Sequence, residues 1–189
     1  NVWLVMLPFA VSWVAAPALA FWMSLSPKLE DELDSSPVER KALRLVARRT
    51  WRFFETFVTP ADSMLPPDNF QEDPKPLVAH RTSPTNIGLY LLSVASAREF
   101  GWLGLSEKKK KIETTLATVK RMEKYRGHLY NWYDTTNLQP LEPQYVSTVD
   151  SGNLAGHLIA LSNCCSSWIA QPGDVNASLD GIEDILDIL

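Results

Sequence analysis

Cysteine is scarce in this chain and poorly placed for cross-linking. The 189 residues contain two, Cys164 and Cys165, adjacent inside a helical pattern. Their side chains diverge, so a disulfide between them would be strained. Neither belongs to a C-x-x-C motif or has a histidine at ligand spacing, which argues against zinc and leaves both as small apolar packing residues. Histidine is nearly as rare. His80 and His128 fall in loops without a Ser or Cys nucleophile motif, and His157 lies on an apolar helix face, where a hydrogen-bonded core role is expected. Basic charge is in deficit: 18 Lys and Arg against 22 Asp and Glu give a net charge of −4. A general nucleic-acid binder needs a basic face to neutralise phosphates, so that class is excluded. The basic runs Arg40 to Arg52 and Lys108 to Lys111 read as solvated helix faces. No stretch repeats closely enough to suggest a solenoid.

The beginning of the chain lacks charge altogether up to Lys28. Val2 to Leu25 would span roughly 36 Å as a helix, and a bilayer core is about 30 Å thick. A transmembrane helix is therefore expected over residues 1–25, with a buried core helix as the alternative. A signal peptide would show a basic n-region and a shorter apolar core, and the missing Met reads as a segment excised from a longer protein. Pro8 and Pro17 are tolerable in a membrane helix, and Trp3, Trp13 and Trp22 include candidate interface anchors. Lys28, Arg40, Lys41 and Arg44 follow the span and favour a cytoplasmic location for what comes next.

Residues 26–35 read as an acidic linker. Ser36-Pro37-Val38-Glu39 is a capping box opening a helix to about Thr59, with Leu43, Val46, Ala47, Thr50, Phe53, Phe54 and Phe57 on one side. The proline-rich segment Pro60 to Arg81 has no helical period and reads as a long irregular loop. Ser83 and Pro84 open a second helix that Gly101 stops at Phe100. Gly88 inside it points to a close approach by another group. A third helix is expected from Ser106 to about Arg126, ended by Gly127, and a short β-hairpin near 128–146. A fourth helix starts near Val149 and continues to about Trp168, and Ser178 is expected to cap a fifth. Residues 171–189 are read as a tail or the start of that helix. Helices joined by alternating short and long connections predict a mostly α fold of stacked antiparallel pairs over residues 36–170.

Two loops carry the chemistry. Leu65 to Tyr90 and Tyr130 to Gly156 each run polar and aromatic residues into a helix start, whose unpaired N–H groups make a polar surface. Convergence of the two would form a pocket for a neutral, hydroxyl-rich ligand. Aromatic rings cover the C–H faces of sugars, and amides and carboxylates bind paired hydroxyls. The residues expected to line such a pocket are Asp68, Asn69, Arg81, Asn86, Trp132, Tyr133, Asp150 and Asn153. All but Asn153 have a plainer reading: Asp68 and Asn69 as an Asx-turn, Arg81 as the ion-pair partner of Glu72 or Asp73, Trp132 and Tyr133 as packing residues, Asn86 as cap support, Asp150 as a first-turn acid. Asp68, Asp134 and Asp150 are the local carboxylates that could form the pair glycosyl transfer requires.

Through RTWRFFETFVTP, MLPPDNFQEDPKP, AHRTSPTNIGLYLLS, FGWLGL, RGHLYNWYDT and EPQYVSTVDSGNLAGHLIAL, about Arg49 to Leu161, the chain resembles bacterial cyclic β-1,2-glucan synthases. The resemblance implies the membrane exit and the N-terminal part of the middle, transglycosylating domain of such an enzyme, in the bacterial inner membrane. It implies part of an (α/α)6-type barrel after the transmembrane helix, with β-1,2-glucan, the lipid bilayer and other domains of the same polypeptide as partners. Under it the catalytic carboxylates fall beyond Leu189, no cofactor or metal belongs to this segment, and the fragment alone is expected to be inactive. Two rivals stay open: a non-catalytic helical docking module, and a hydrolase of the β-1,2-glucanase kind.

Overall fold

The computed structural model describes residues 2–25, 36–170 and 175–188. The linker assigned to 26–35 and the start of the tail lie outside the described residues. The chain divides into two units, Asn1–Val38 and Glu39–Leu189. In the first, α1 runs Val2–Ser24. It is the one helix among the described residues long and apolar enough to cross a membrane, and none of that stretch is buried. The Ser12 hydroxyl donates to the Pro8 carbonyl one turn earlier at 2.5 Å, the local bond by which Ser satisfies its hydroxyl inside a helix.

The second unit is built around α3 (Pro84–Glu99), packed between α4 (Leu105–Arg121) and α5 (Thr148–Ala170). α3 is apolar on nearly every side, as a central helix must be, and Ile87, Tyr90, Leu91, Val94 and Ala97 are fully buried. Trp51 of α2 (Pro37–Phe57) stacks parallel to Tyr90 with ring centroids 6.5 Å apart. Each such side chain contributes about 1.5–3 kcal/mol by leaving water.

The inward face of α2 differs from the expected one. Leu43 and Val46 are 66% and 61% exposed, while Arg48 and Trp51 are buried. The core faces Ala47, Arg48, Trp51 and Phe54. Arg48 is tolerated inside because its guanidinium lies over Trp102, 5.7 Å from the ring centroid, and donates to Glu55 at 2.7 Å.

Helix α3 keeps its predicted ends. The Ser83 hydroxyl accepts from the Asn86 backbone N–H, and Gly101 takes the left-handed conformation at φ 80° just past Phe100. A side chain on Gly88 would strike the imidazole of His157, so the approaching group is a residue of α5. His157 itself has no hydrogen-bond partner at Nδ1, contrary to the expected hydrogen-bonded core role. Helix α4 ends at Arg121, not at Gly127. Gly127 instead turns a hairpin of β4 (Lys124–Tyr125) and β5 (His128–Leu129), with Arg126 and Gly127 both at positive φ.

The last helix, α6, runs Val175–Leu186 and so begins before Ser178. Asp184, 7% exposed, accepts from Arg44 at 3.1 and 2.7 Å and from the Trp102 indole at 2.8 Å. Gly181 lies against the Gly101 carbonyl so closely that a Cβ there would collide with it. The C-terminal segment is thus a helix fixed to α2 and to the end of α3.

The presumed irregular loop between α2 and α3 has structure of its own. A 3₁₀ turn at Pro60–Asp62 is followed by β1 (Phe70–Gln71) and β2 (Leu77–Val78), an antiparallel hairpin, and then β3 (Arg81–Thr82). Leu65, Pro66 and Pro67 are fully buried beneath it. Buried Asp62 accepts from His80 Nδ1 at 2.7 Å and from the Thr135 hydroxyl at 2.6 Å, joining this loop to the one before α5. The hairpin expected near 128–146 is short: Tyr133 bridges to Pro140, and the Asp134 and Leu141 N–H groups donate to the Gln139 and Trp132 carbonyls at 2.9 Å. Its strand β6 (Tyr133–Asp134) also pairs with β3.

Candidate functional site at the N-terminal ends of α3 and α5

Pairing of β3 with β6 brings the two polar loops together. Arg81 lies opposite Asp134, and Thr82 opposite Tyr133. Side chains alternate across a strand, so Thr82 and Tyr133 point into the core while Arg81, Asp134 and Trp132 share the outer face. Tyr133 is 0% exposed; its hydroxyl donates to the Glu123 carbonyl at 2.6 Å and accepts from the Tyr130 N–H at 2.7 Å. Burial is the main reason its hydroxyl is pushed up to about 12. Tyr133 offers no face to a ligand and is corrected from lining residue to core residue. The strand period carried that information, since adjacent Trp132 and Tyr133 cannot both face outward.

Asp68 collects the first group of contacts. Its Oδ2 accepts from Arg81 Nε at 3.1 Å and Nη2 at 2.9 Å, and from Asn69 Nδ2 at 3.1 Å. Its Oδ1 accepts from Asn86 Nδ2 at 3.3 Å. Arg81 therefore pairs with Asp68, not with Glu72 or Asp73, which are exposed near the tip of the β1–β2 hairpin. The Arg81 guanidinium also stacks on Trp132, 4.8 Å from the ring centroid, a contact of about 0.5–1 kcal/mol at an exposed site.

Asp150 collects the second group. Its backbone N–H donates to Ser147 Oγ at 3.1 Å, the N-cap of α5. Its Oδ1 accepts from the Thr85 hydroxyl at 2.6 Å, and Asn153 Nδ2 donates to the same hydroxyl at 3.1 Å. Asn131, 7% exposed, supplies the remaining contact. With its amide oriented to suit its neighbours, the nitrogen donates to Asp150 Oδ2 at 3.0 Å and the oxygen accepts from Trp132 Nε1 at 2.6 Å and Tyr145 OH at 2.7 Å.

A continuous network results: Asp68, Arg81, Trp132, Asn131, Asp150 and Thr85, with Asn69, Asn86 and Asn153 attached. It brings together seven of the eight expected residues. The lining residues expected from sequence did not include Thr85, Asn131 or Tyr145. Thr85 carried a usable signal, since a hydroxyl in the first turn of one helix suits a carboxylate in the first turn of another. Asn131 carried one too, since its amide stands in the sugar-binding mix of Asn131, Trp132, Tyr133 and Asp134, whereas Tyr145 carried none, because its role depends on a contact between distant segments.

Burial pushes the Asp150 carboxyl up, but hydrogen bonds from Ser147 and Thr85 outweigh it and hold the group below its ordinary range. It is a fixed acceptor and not a proton donor at neutral pH. Asp134 is also held low, chiefly by the hydrogen bond from Thr136, and is occupied by the turn it caps.

Residues 45–170 match a family described as a protein of unknown function, DUF3131. The chain belongs to the DUF3131 family. This DUF3131 chain is also 58% identical over 184 residues to the cyclic beta-(1,2)-glucan synthase NdvB of Rhizobium meliloti (strain 1021). The alignment covers 97% of this chain and 6% of that protein, so the chain spans a small part of its relative. The resemblance read from the loop strings is borne out. Among solved structures, a candidate glucoamylase from Bacteroides fragilis NCTC 9343 matches with a TM-score of 0.57 at 15% identity, over 84% of this chain and 37% of that one. That likeness is one of fold.

Proposed function

We propose that this DUF3131 segment binds β-1,2-glucan as part of the transglycosylating domain of a membrane-bound cyclic β-1,2-glucan synthase. The observation that carries the reading is the joining of the loops ahead of α3 and α5 into one rim of aromatic, amide and carboxylate groups. Such a rim suits a neutral polyol: exposed Tyr145 and half-buried Trp132 offer ring faces, and Asp68, Asn69 and Asn153 offer hydrogen bonds. Both carboxylates are held in place by donors and keep acceptor capacity, which fits substrate positioning; in this reading the catalytic pair belongs to residues beyond this chain. Completion of an (α/α)-barrel by the remaining polypeptide agrees with the partial coverage of the Bacteroides structure.

In this reading α1 lies in the bacterial inner membrane, with the second unit on the cytoplasmic side. Other domains of the same polypeptide are its protein partners. The chain titrated with linear β-1,2-glucan should show quenching of tryptophan fluorescence that Trp132→Ala abolishes, and no glucan cleavage. Cleavage would favour the hydrolase reading. A docking role is favoured by one observation, the outward apolar residues of α5, with Ile159 65% and Ile169 90% exposed. Failure of a polypeptide extended to the whole barrel to bind glucan would decide for docking.

A further inference from the structure

We infer that Asn131 is the positioning residue of this site, the group that locks two aromatic platforms and the Asp150 carboxylate into one geometry. The inference rests on the proposed glucan-binding role and goes beyond it by naming what sets the site's shape. Asn131 is unusual among the residues of the rim. It is buried, and its own side chain has little surface left for a ligand. Its amide nevertheless joins three groups that do face the rim, at 2.6 Å to the Trp132 indole, 2.7 Å to the Tyr145 hydroxyl and 3.0 Å to Asp150.

The chemistry admits few substitutes. The amide oxygen must accept twice, from Trp132 and Tyr145, while the nitrogen donates to an ionised carboxylate. A primary amide provides acceptor and donor on adjacent atoms. Asp has the right shape but sets a carboxylate against Asp150, and Ala leaves Trp132 Nε1 and Asp150 Oδ2 without this partner. The residue is held independently of its side chain, because its backbone N–H donates to the Tyr145 carbonyl at 2.8 Å. Trp132 is fixed on its other side by the Arg81 guanidinium. Removal of the amide therefore frees the rotation of Trp132 and Tyr145 without removing either platform.

Two aromatic rings at a fixed distance from one carboxylate discriminate between glucans of different linkage. Each linkage presents sugar C–H faces and hydroxyls at a different relative angle. Asn131 is accordingly also a determinant of linkage specificity.

The test compares the full chain in detergent with Asn131→Ala and Asn131→Asp, titrated with linear β-1,2-glucan and with linear β-1,3-glucan. Binding and the indole N–H resonance of Trp132 are the readouts. Asn131→Ala should weaken β-1,2-glucan binding at least tenfold, move the Trp132 indole resonance, and narrow the preference over the β-1,3-linked chain. Asn131→Asp should lose binding at neutral pH and regain it on acidification. Two carboxylates in hydrogen-bond contact then share a proton that restores the donor to Asp150. The ionisable groups facing position 131 are Asp150 and Tyr145, with Arg81 and Asp68 across the indole. Loss of folding support alone predicts no acid recovery, and this readout also serves if Asn131→Ala fails to fold. Unchanged β-1,2-glucan affinity in Asn131→Ala, or absence of acid recovery in Asn131→Asp, overturns the inference. No response of the wild-type chain to β-1,2-glucan overturns the proposed function and the inference with it.

Discussion

Replacing Thr85 by Val removes one hydroxyl and nearly preserves shape, so it isolates the link between the two helix starts. In the structure that hydroxyl donates to Asp150 Oδ1 at 2.6 Å and accepts from Asn153 at 3.1 Å. Exposed Asn153 can turn to water, and its share of the loss is small. A hydrogen bond to a charged group contributes about 1.5–3 kcal/mol, and Thr85→Val should destabilise the chain by about that much at pH 7. The pH dependence has a definite sign. Asp150 is held below its ordinary range in the folded state. Its stabilisation is therefore present above the unfolded carboxyl value of about 3.9 and lost as pH falls through the folded value. The penalty of Thr85→Val should shrink over the same acid range, because a neutral Asp150 has less to lose. Urea unfolding followed by near-ultraviolet circular dichroism at a series of pH values measures both quantities. A penalty of the same size at every pH would assign the loss to packing and refute the electrostatic argument. A penalty below about 0.5 kcal/mol would refute the link itself.

Two further substitutions test the frame that supports the site. Gly88→Ala should destabilise by about 1–2 kcal/mol, since overpacking against His157 outweighs the roughly 1 kcal/mol gained in helix propensity. The same change made in a His157→Ala background should become neutral or stabilising, and additive effects in that cycle would count against a direct clash. Asp184→Ala leaves Arg44 and the Trp102 indole without their shared carboxylate, at a cost of about 2–4 kcal/mol given that Arg44 is partly exposed. Hydrogen exchange should accelerate over α6 before the rest of the second unit. Uniform acceleration would show that Asp184 does not act as a local anchor.

The sequence alone determined what depends on near neighbours in the chain. The ends of α3 follow from Ser83, Pro84 and Gly101, since a cap needs only a side-chain oxygen and a left-handed glycine close at hand. The apolar run of α1 and the first turn of α5 are local in the same sense. The residues of the two polar loops were legible by composition, because aromatic, amide and carboxylate groups are recognisable in a linear string.

Tertiary structure decided everything that required two distant segments to meet. Which face of α2 turns inward depended on Tyr90 and Trp102 offering partners to Trp51 and Arg48, so that apolar Leu43 and Val46 were left outside. The separation of Trp132 at the rim from Tyr133 in the core came from the β3–β6 pairing, which fixed the phase of the strand. Arg81 met Asp68, and Asn131 met Asp150, through folds of the loops that no local propensity encodes. Short-range torsional preferences act within a few residues. Hydrogen-bond geometry at a site is set by the packing of helices whose sequence separation here exceeds sixty residues.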